Sequence, residues 1–164
     1  MADKDTALGV QELNLDAKVT VRSIAGWTTG FARIETNGDV TITPEGTTRL
    51  SRNEIISQVQ NGNKLFCGLN GDGSHATLYI DDTATRVYLD FESEDGDTKQ
   101  NIFSDAKVKD VFALKTQASF EKACKENFYT RAEKYALIQA IKRLKINDYS
   151  KIRFAEEYTG YRVQ

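Results

Sequence analysis

The sequence predicts an α+β fold, in which an N-terminal antiparallel β-sheet or small barrel with one inserted helix is followed by a C-terminal segment of three to four helices. Three observations support this prediction. Apolar and polar residues alternate over much of 17–91, whereas apolar residues recur at helical spacing over 103–158. Residues 1–114 carry 11 Lys+Arg against 18 Asp+Glu, and residues 115–164 carry 11 against 6. An acidic run separates the two patterns.

These patterns divide the chain into four parts. They are an N-terminal arm at 1–16, a β-rich domain at 17–91, an acidic connector at 92–102 and a helical domain at 103–164. The arm is polar with scattered apolar residues, so it either frays in solution or docks on a partner. Leu8 and Val10 are therefore candidate partner-binding residues.

The first strands are predicted from alternation and a turn signal. Lys18–Ile24 alternates, and so do the segments Phe31–Glu35 and Asp39–Thr43 on either side of Asn37-Gly38. Asn-Gly between alternating segments is a strong hairpin signal, because both central residues of a type I′ turn need a positive φ. We therefore predict a β-hairpin here.

The rest of the β-rich domain contains one predicted helix. Ser51 and Glu54 have the spacing of a capping box, which predicts a helix over about 52–61 that Asn61-Gly62 ends. Three further strands are predicted at Lys64–Cys67, Ala76–Ile80 and Arg86–Phe91.

Four helices are predicted in the C-terminal part. Ser104 or Asp105 caps the first, and Thr130 with Glu133 forms a second capping box at the start of the longest. The predicted helices extend to about 114, over 117–126, over about 130–145 and over 149–158.

Composition limits the function classes. The net charge of −2 argues against general polyanion binding, which needs many Lys and Arg contacts to phosphates. No apolar run approaches the roughly 20 residues of a membrane-spanning helix, so we expect no membrane association. The acidic start is unlike a secretory signal, and we expect synthesis in a cytoplasm. Cys67 and Cys124 are expected to be buried thiols, although a disulfide between the two halves stays open.

The glycine-rich loop at 68–75 is the strongest candidate for a site. Asn70, Asp72 and Ser74 have the alternate spacing of a calcium loop, with Asp81 in the twelfth position. However, His75 stands at the sixth position, where the sharp turn needs Gly. A phosphate-binding loop is also disfavoured, because the Gly-Lys-Ser/Thr ending is missing.

We therefore predict an ordinary connection between strands that also serves as an exposed contact surface. Three glycines within six residues let a partner's backbone approach closely. The candidate partner-binding residues in this loop are Asn70, Gly71, Asp72, Gly73, Ser74 and His75.

No catalytic, cofactor-binding or metal-binding set is predicted. His75 is the only histidine, and the candidate nucleophiles Ser74 and Cys67 do not combine with it in a recognisable arrangement. Asp81-Asp82 is better explained as a turn than as a catalytic carboxylate pair. Trp27 is better explained as a core residue than as a ligand-stacking platform.

Basic residues near the C-terminus suggest a weaker alternative. Lys134, Lys142 and Lys145 project within about 80° of one another on a helix, but Ile138 and Ile141 fall in or beside the same arc. Such lysines are typical of the rim of a buried stripe. A modest nucleic-acid hypothesis nevertheless rests on Lys142, Arg143, Lys145, Lys151 and Arg153.

Several segments together resemble small auxiliary proteins from the head region of tailed phages. They are Trp27-Thr-Thr-Gly30-Phe31, Arg49-Leu-Ser-Arg-Asn-Glu54, Asn63-Lys-Leu-Phe66, Gly73-Ser-His-Ala76 and Asn147-Asp-Tyr-Ser-Lys151. The resemblance spans most of the chain and transfers no site residue. It implies a non-enzymatic protein that adds to a capsid or tail surface and resides in the virion.

The leading hypothesis is therefore a phage structural or assembly protein of the capsid auxiliary or decoration type, with no cofactor. It would bind other virion proteins or further copies of itself, and the opposite charges of its halves suit head-to-tail contact. The first alternative is a phage-encoded inhibitor of a host protein, in which the acidic residues 92–97 mimic phosphate charge. The second is a nucleic-acid-binding accessory protein, and an enzyme is least favoured.

Overall fold

The computed structural model describes residues 13–164 and confirms the α+β class. The candidates Leu8 and Val10 lie outside the described residues.

Residues 13–164 contain five strands and seven helices. In chain order they are β1 (Lys18–Ser23), β2 (Thr29–Ala32), β3 (Asp39–Ile42), β4 (Thr47–Ser51), α1 (Arg52–Gln60), α2 (Lys64–Cys67), β5 (Leu78–Asp81), α3 (Thr83–Tyr88), α4 (Asp105–Phe112), α5 (Gln117–Asn127), α6 (Arg131–Leu144) and α7 (Tyr149–Thr159).

The main sheet is antiparallel, with strand order β4-β1-β5. In the register, Val21 of the central strand lies opposite Thr48 on one side and Ile80 on the other. Val19, Val21 and Ser23 are buried on one face of β1, as the alternation predicts.

The predicted hairpin is confirmed, but its turn differs from the prediction. β2 and β3 pair antiparallel, and the Arg33 N–H donates to the Gly38 carbonyl across a six-residue connection. Gly38 has a φ of +101°, whereas Asn37 is not among the residues with positive φ. The turn is therefore not type I′, because that turn needs positive φ at two successive central residues.

Two predicted strands are wrong, since one segment is a short helix and the other is the end of a helix followed by a turn. Lys64–Cys67 is α2, because the Asn63 side chain accepts from the Leu65 N–H and starts a helical turn. The first half of Arg86–Phe91 is the end of α3, which Asp82 caps through the Thr85 N–H, and the second half is a turn. The β-rich part therefore contains three helices rather than one.

The strand β4 was not predicted. Leu50 is its only buried residue, so it shows no repeating alternation. It forms because it pairs along its length with β1, from Lys18 opposite Ser51 to Arg22 opposite Thr47. Tertiary pairing thus decides its conformation.

The four C-terminal helices follow the prediction closely. Ser104, Thr116, Thr130 and Asp148 each cap a helix by accepting from a backbone N–H three residues later. Gly160 ends α7 at a φ of +80°. Local capping chemistry fixes these boundaries.

Between residues 13 and 164, the buried apolar side chains form two separate clusters. The first is built from residues between Val19 and Phe91, and the second from residues between Val108 and Ala155. Cys67 and Cys124 are both buried free thiols, and they lie in different halves. Burial raises the pKa of the Cys124 thiol to about 12, with a contribution from Glu121.

An aromatic contact joins the two halves. Trp27, on the β1–β2 connection, packs edge-to-face on Tyr135 of α6, with 6.1 Å between ring centroids. The Arg131 guanidinium carbon lies 4.3 Å from the centre of the Trp27 ring. A Cβ at Gly26 would lie 2.2 Å from the Tyr135 ring, so only glycine allows this approach. Trp27 is half-buried at this junction rather than within a core.

Among residues 13–164, no helix combines the length and the apolar character that crossing a membrane requires.

Candidate functional site

The glycine-rich loop connects α2 to β5 and has an exposed tip. Leu69, Asn70, Gly71 and Asp72 are exposed, and Leu69 keeps 51% of its surface accessible. The Leu69 N–H donates to the Ser74 carbonyl, so the chain closes on itself below the tip. The Asp72 carboxylate accepts from the Ser74 N–H at 3.0 Å.

The start of this loop requires glycine. Gly68 has a φ of +73°, and a Cβ there would lie 1.9 Å from the Ser74 carbonyl oxygen. Both the backbone conformation and the close approach therefore exclude larger residues. The backbone that approaches Gly68 belongs to the loop itself, whereas the glycine spacing predicted room for the backbone of a partner.

The base of the loop is buried and held by hydrogen bonds to two segments, the end of α2 and residues 100–101. The Gly73 N–H donates to the Cys67 carbonyl at 2.8 Å, and the Gly73 carbonyl accepts from the Gln100 side-chain amide at 2.6 Å. The His75 N–H donates to the Asn101 carbonyl at 2.8 Å. The exposed tip is therefore attached to a base that backbone and side-chain hydrogen bonds hold in place.

A buried carboxylate anchors this base to the helical half. Nδ1 of His75 lies 2.9 and 3.0 Å from the two carboxylate oxygens of Glu133, which is completely buried. Glu133 is the N3 residue of α6, and its Oε1 also accepts from the backbone N–H groups of Tyr129 and Thr130. One carboxylate thus completes a capping box and holds a residue 58 positions away.

His75 adopts an unusual backbone conformation to make this contact. Its φ is +63°, in the left-handed region that non-glycine residues rarely occupy. The hydrogen bonds of its backbone and ring hold it there.

Lys107 of α4 supplies a positive charge that interacts with the Glu133 carboxylate. Its ammonium group contacts Oδ1 of Asn101, and the Asn101 amide lies 3.5 Å from Nε2 of His75. Burial lowers the pKa of Lys107, while the negative charge of Glu133 acts in the opposite direction. We name the set His75, Asn101, Lys107 and Glu133 the junction cluster.

The contacts of His75 are structural. Nδ1 engages Glu133, Nε2 faces Asn101, and no hydroxyl or thiol is hydrogen-bonded to the ring within the described part of the chain. The Cys67 thiol contacts the Val59 carbonyl at 3.5 Å, and burial raises its pKa. A thiol held in its neutral form is a poor nucleophile.

A small cleft lies at the foot of the loop, with a volume of about 270 Å³. It opens between the exposed Leu69 and the start of α6, where the neighbouring Tyr129 is 59% exposed. Its lining residues are Asn63, Lys64, Leu65, Gly68, Leu69, His75, Thr77 and Thr130.

The structure separates the residues of the calcium-loop pattern. Asp72 bonds within its own loop, whereas Asp81 pairs with Arg22 at 3.2 Å. Between residues 13 and 164, no group of three or more His, Cys, Asp or Glu side chains is arranged to hold a metal ion.

The candidate nucleic-acid residues have different environments. Lys151 is buried, and its ammonium group donates to the carbonyls of Phe112 and Leu114 at the end of α4, so it is unavailable to phosphate. Arg143 forms an ion pair with Asp105. The Arg153 guanidinium lies 3.8 Å from the Glu157 carboxylate. Lys142 and Lys145 are exposed at the end of α6.

The acidic connector contains an ordered turn. Oδ1 of Asp95 accepts from the Ser93 hydroxyl at 2.7 Å and from the Asp97 N–H at 2.9 Å. These hydrogen bonds, that of Asp97 first, lower the pKa of the Asp95 carboxyl. Glu94, Asp95 and Asp97 are all exposed.

Only His75 of the junction cluster was a candidate site residue in the sequence. The Thr130-to-Glu133 spacing identified Glu133 as a capping residue but gave no indication of its contact with His75. Asn101 and Lys107 carried no sequence signal, since they reach the cluster only through tertiary packing.

Comparison with known proteins adds no relative. No protein-family model, no curated protein and no solved structure matches this chain.

Proposed function

We propose that this chain is a non-enzymatic structural or assembly protein of a tailed phage, of the capsid auxiliary or decoration type. It acts through contacts with other virion proteins or with further copies of itself, and it resides in the virion after synthesis in the host cytoplasm. The phage assignment is supported by the sequence resemblance described above. The mode of action is supported by the geometry of the loop.

The observation that carries the proposal is an exposed tip on a buried, bonded base. Asn70, Gly71 and Asp72 face solvent, while Gly73 and His75 are fixed through Cys67, Gln100, Asn101 and Glu133. A loop that is already ordered loses little conformational entropy when a partner binds. This arrangement suits recognition by shape.

Leu69 is the expected centre of the contact. It is a large apolar side chain that is half accessible and lines a cleft together with Thr130, the sequence neighbour of the exposed Tyr129. Apolar anchors and aromatic residues carry most of the binding energy in protein interfaces. The cleft suits one apolar side chain from a partner better than a drug-sized molecule, because pockets for such molecules measure about 300–1,000 Å³.

Mass spectrometry of purified particles tests the proposal. We expect the chain in particles in many copies, and we expect Leu69→Ser to reduce the copy number about tenfold. Tyr88→Ser is the matched control, because Tyr88 is 53% exposed, lies on α3 and does not line the cleft. Complete absence of the wild-type chain from particles would contradict the proposal.

The acidic turn favours a second candidate function, inhibition of a host protein. Its carboxylates project from a hydrogen-bonded turn, as a phosphate mimic requires. Affinity capture from a host lysate, with the Glu94→Gln/Asp97→Asn double variant as control, distinguishes it. Stoichiometric capture of one host protein that the double variant loses would favour inhibition over the virion role.

The nucleic-acid alternative is weakened because Lys151 is committed to carbonyl groups and Arg143 to an ion pair. A gel shift at about 50 mM salt tests it, since phosphate-driven binding is strongest at low salt. We expect no shift.

A further inference from the structure

We propose that Asn70 is a site of spontaneous deamidation, and that the fold directs this reaction to Asn70 and away from Asn61. The chain contains three Asn-Gly steps, at Asn37-Gly38, Asn61-Gly62 and Asn70-Gly71. Since all three are the same dipeptide, the sequence alone predicts similar deamidation rates for them. The structure distinguishes them by the contacts of the two groups that must react.

The reaction needs only the chain and water. The backbone nitrogen of the glycine forms a bond to Cγ of the asparagine, and the Cγ–Nδ2 bond breaks. Nδ2 leaves as ammonia and takes up the proton that the backbone nitrogen loses. Water then opens the resulting succinimide ring and gives aspartate or isoaspartate. Glycine favours the attack, because it has no Cβ to hinder the nitrogen and reaches a wide range of φ and ψ.

Both reacting groups of Asn61 are held at the end of α1. The Gly62 N–H donates to the Val59 carbonyl at 3.0 Å, so the attacking nitrogen is engaged. The Asn61 side-chain amide donates to the Ser57 carbonyl at 2.8 Å, which fixes the group that is attacked. Deamidation here requires these bonds to open first.

Neither reacting group of Asn70 is held in this way. Within residues 13–164, the Asn70 side-chain amide and the Gly71 N–H make no hydrogen bond. Asn70 and Gly71 are exposed, and a Cβ at Gly71 would meet no atom of the described residues within 4 Å. The hydrogen bond between Leu69 and Ser74 closes the loop beneath these two residues and leaves them outside it.

Asn37 is an intermediate case. Its side chain is exposed, and Gly38 is also surrounded by open space. However, the Gly38 carbonyl accepts from the Arg33 N–H, and Asp39 directly after it begins β3. The hairpin therefore restricts the backbone rotation that brings the Gly38 nitrogen to Cγ of Asn37.

The product changes the exposed tip in two ways. A carboxylate replaces a neutral amide two residues from Asp72, and isoaspartate adds a methylene group to the backbone. If the tip binds a partner, as proposed above, this change alters the contact. The deamidation itself does not depend on that role.

Peptide mass spectrometry during incubation of the full-length protein in mildly alkaline buffer tests the inference. In the folded protein we expect the order Asn70, then Asn37, then Asn61, with Asn70 at least about tenfold faster than Asn61. In concentrated urea we expect the three rates to converge, because the same dipeptide reacts without the fold. Asn70→Gln serves as a control that removes the signal at position 70 and leaves the other two rates unchanged.

Two results would overturn the inference. One is folded protein in which Asn61 reacts as fast as Asn70. The other is a difference between the sites that persists unchanged in urea, because the preference would then come from local sequence.

Discussion

Two regions of the molecule begin with the same signature and use it differently. Ser51 to Glu54 at the start of α1 and Thr130 to Glu133 at the start of α6 both have the spacing of a capping box. In both, the hydroxyl accepts from the N–H of the glutamate, and both glutamates are buried. The two carboxylates, however, serve different partners.

Glu54 turns its carboxylate away from its own helix end. It accepts from the backbone N–H groups of Ile34 and Glu35 and from the Gln58 amide, and it thereby holds the β2–β3 connection. Glu133 accepts from Thr130 and completes its box, and it also binds His75. Glu54 thus acts within the sheet half, whereas Glu133 joins the two halves.

A buried glutamate at the N3 position can therefore anchor a remote loop. The helix start fixes the carboxylate, and its spare acceptor capacity recruits a segment far away in sequence. A capping signature therefore locates such a carboxylate but does not identify its second partner.

The largest expected change in the free energy of unfolding comes from removing one of the two carboxylates. Glu133→Ala leaves His75, Lys107 and two backbone N–H groups without their acceptor or counter-charge, so we expect a loss of about 3–5 kcal/mol in the free energy of unfolding. Glu54→Ala leaves three neutral donors without their acceptor, and Arg33, a positively charged neighbour, makes the smallest contribution, so we expect about 2–3 kcal/mol. Urea unfolding measures both. An equal or larger loss for Glu54→Ala would contradict the claim that Glu133 contributes more to stability than Glu54.

A second prediction tests whether the two halves are coupled. Gly26→Ala places a methyl group against the Tyr135 ring, and we expect a loss of about 1–3 kcal/mol. In the Tyr135→Ala background the same change should cost less than about 0.5 kcal/mol, because the clash is gone. Equal costs in both backgrounds would show that this contact does not join the halves.

A smaller effect is expected from His75→Asn. Asparagine tolerates the positive φ at this position but cannot span the same distance to Glu133. We expect a loss of about 1–2 kcal/mol in the wild-type background and much less in Glu133→Ala. Additive losses would mean that the ring and the carboxylate act independently.

The smallest effect concerns acid stability. Burial alone would raise the pKa of Glu54, but hydrogen bonds from Ile34, Gln58 and Glu35 outweigh it and hold the pKa below its ordinary value of 4.5. Glu54 therefore contributes stability above that pH, and this contribution is lost as the pH falls through the folded-state pKa.

Glu54→Gln removes this dependence. We expect the stability curve of the variant to be flatter than that of the wild type below about pH 4.5, by at most about 1.4 kcal/mol per pH unit. Parallel curves in acid would contradict the assignment.

Much of the helical half was predictable because its boundaries depend on nearby residues. The caps Ser104, Thr130 and Asp148 act over three positions, so the sequence locates each helix start. The sheet half was less predictable. Lys64–Cys67 is too short to show a period, and β4 owes its conformation to pairing with β1.

The candidate site was predictable in the same uneven way. Glycine spacing identified the loop, because Gly68 and Gly73 have strict conformational requirements. Its anchor was not predictable, since Glu133 lies 58 positions from His75 and Lys107 reaches the cluster from another helix.

Amide hydrogen exchange across residues 68–75 tests most directly the claim that a fixed base presents an exposed tip. In the wild-type protein we expect the N–H groups of Gly73 and His75 to be protected and that of Gly71 to exchange freely. In Glu133→Gln, protection at Gly73 and His75 should fall while α1 stays protected. Free exchange of all three amides in the wild-type protein would contradict the account.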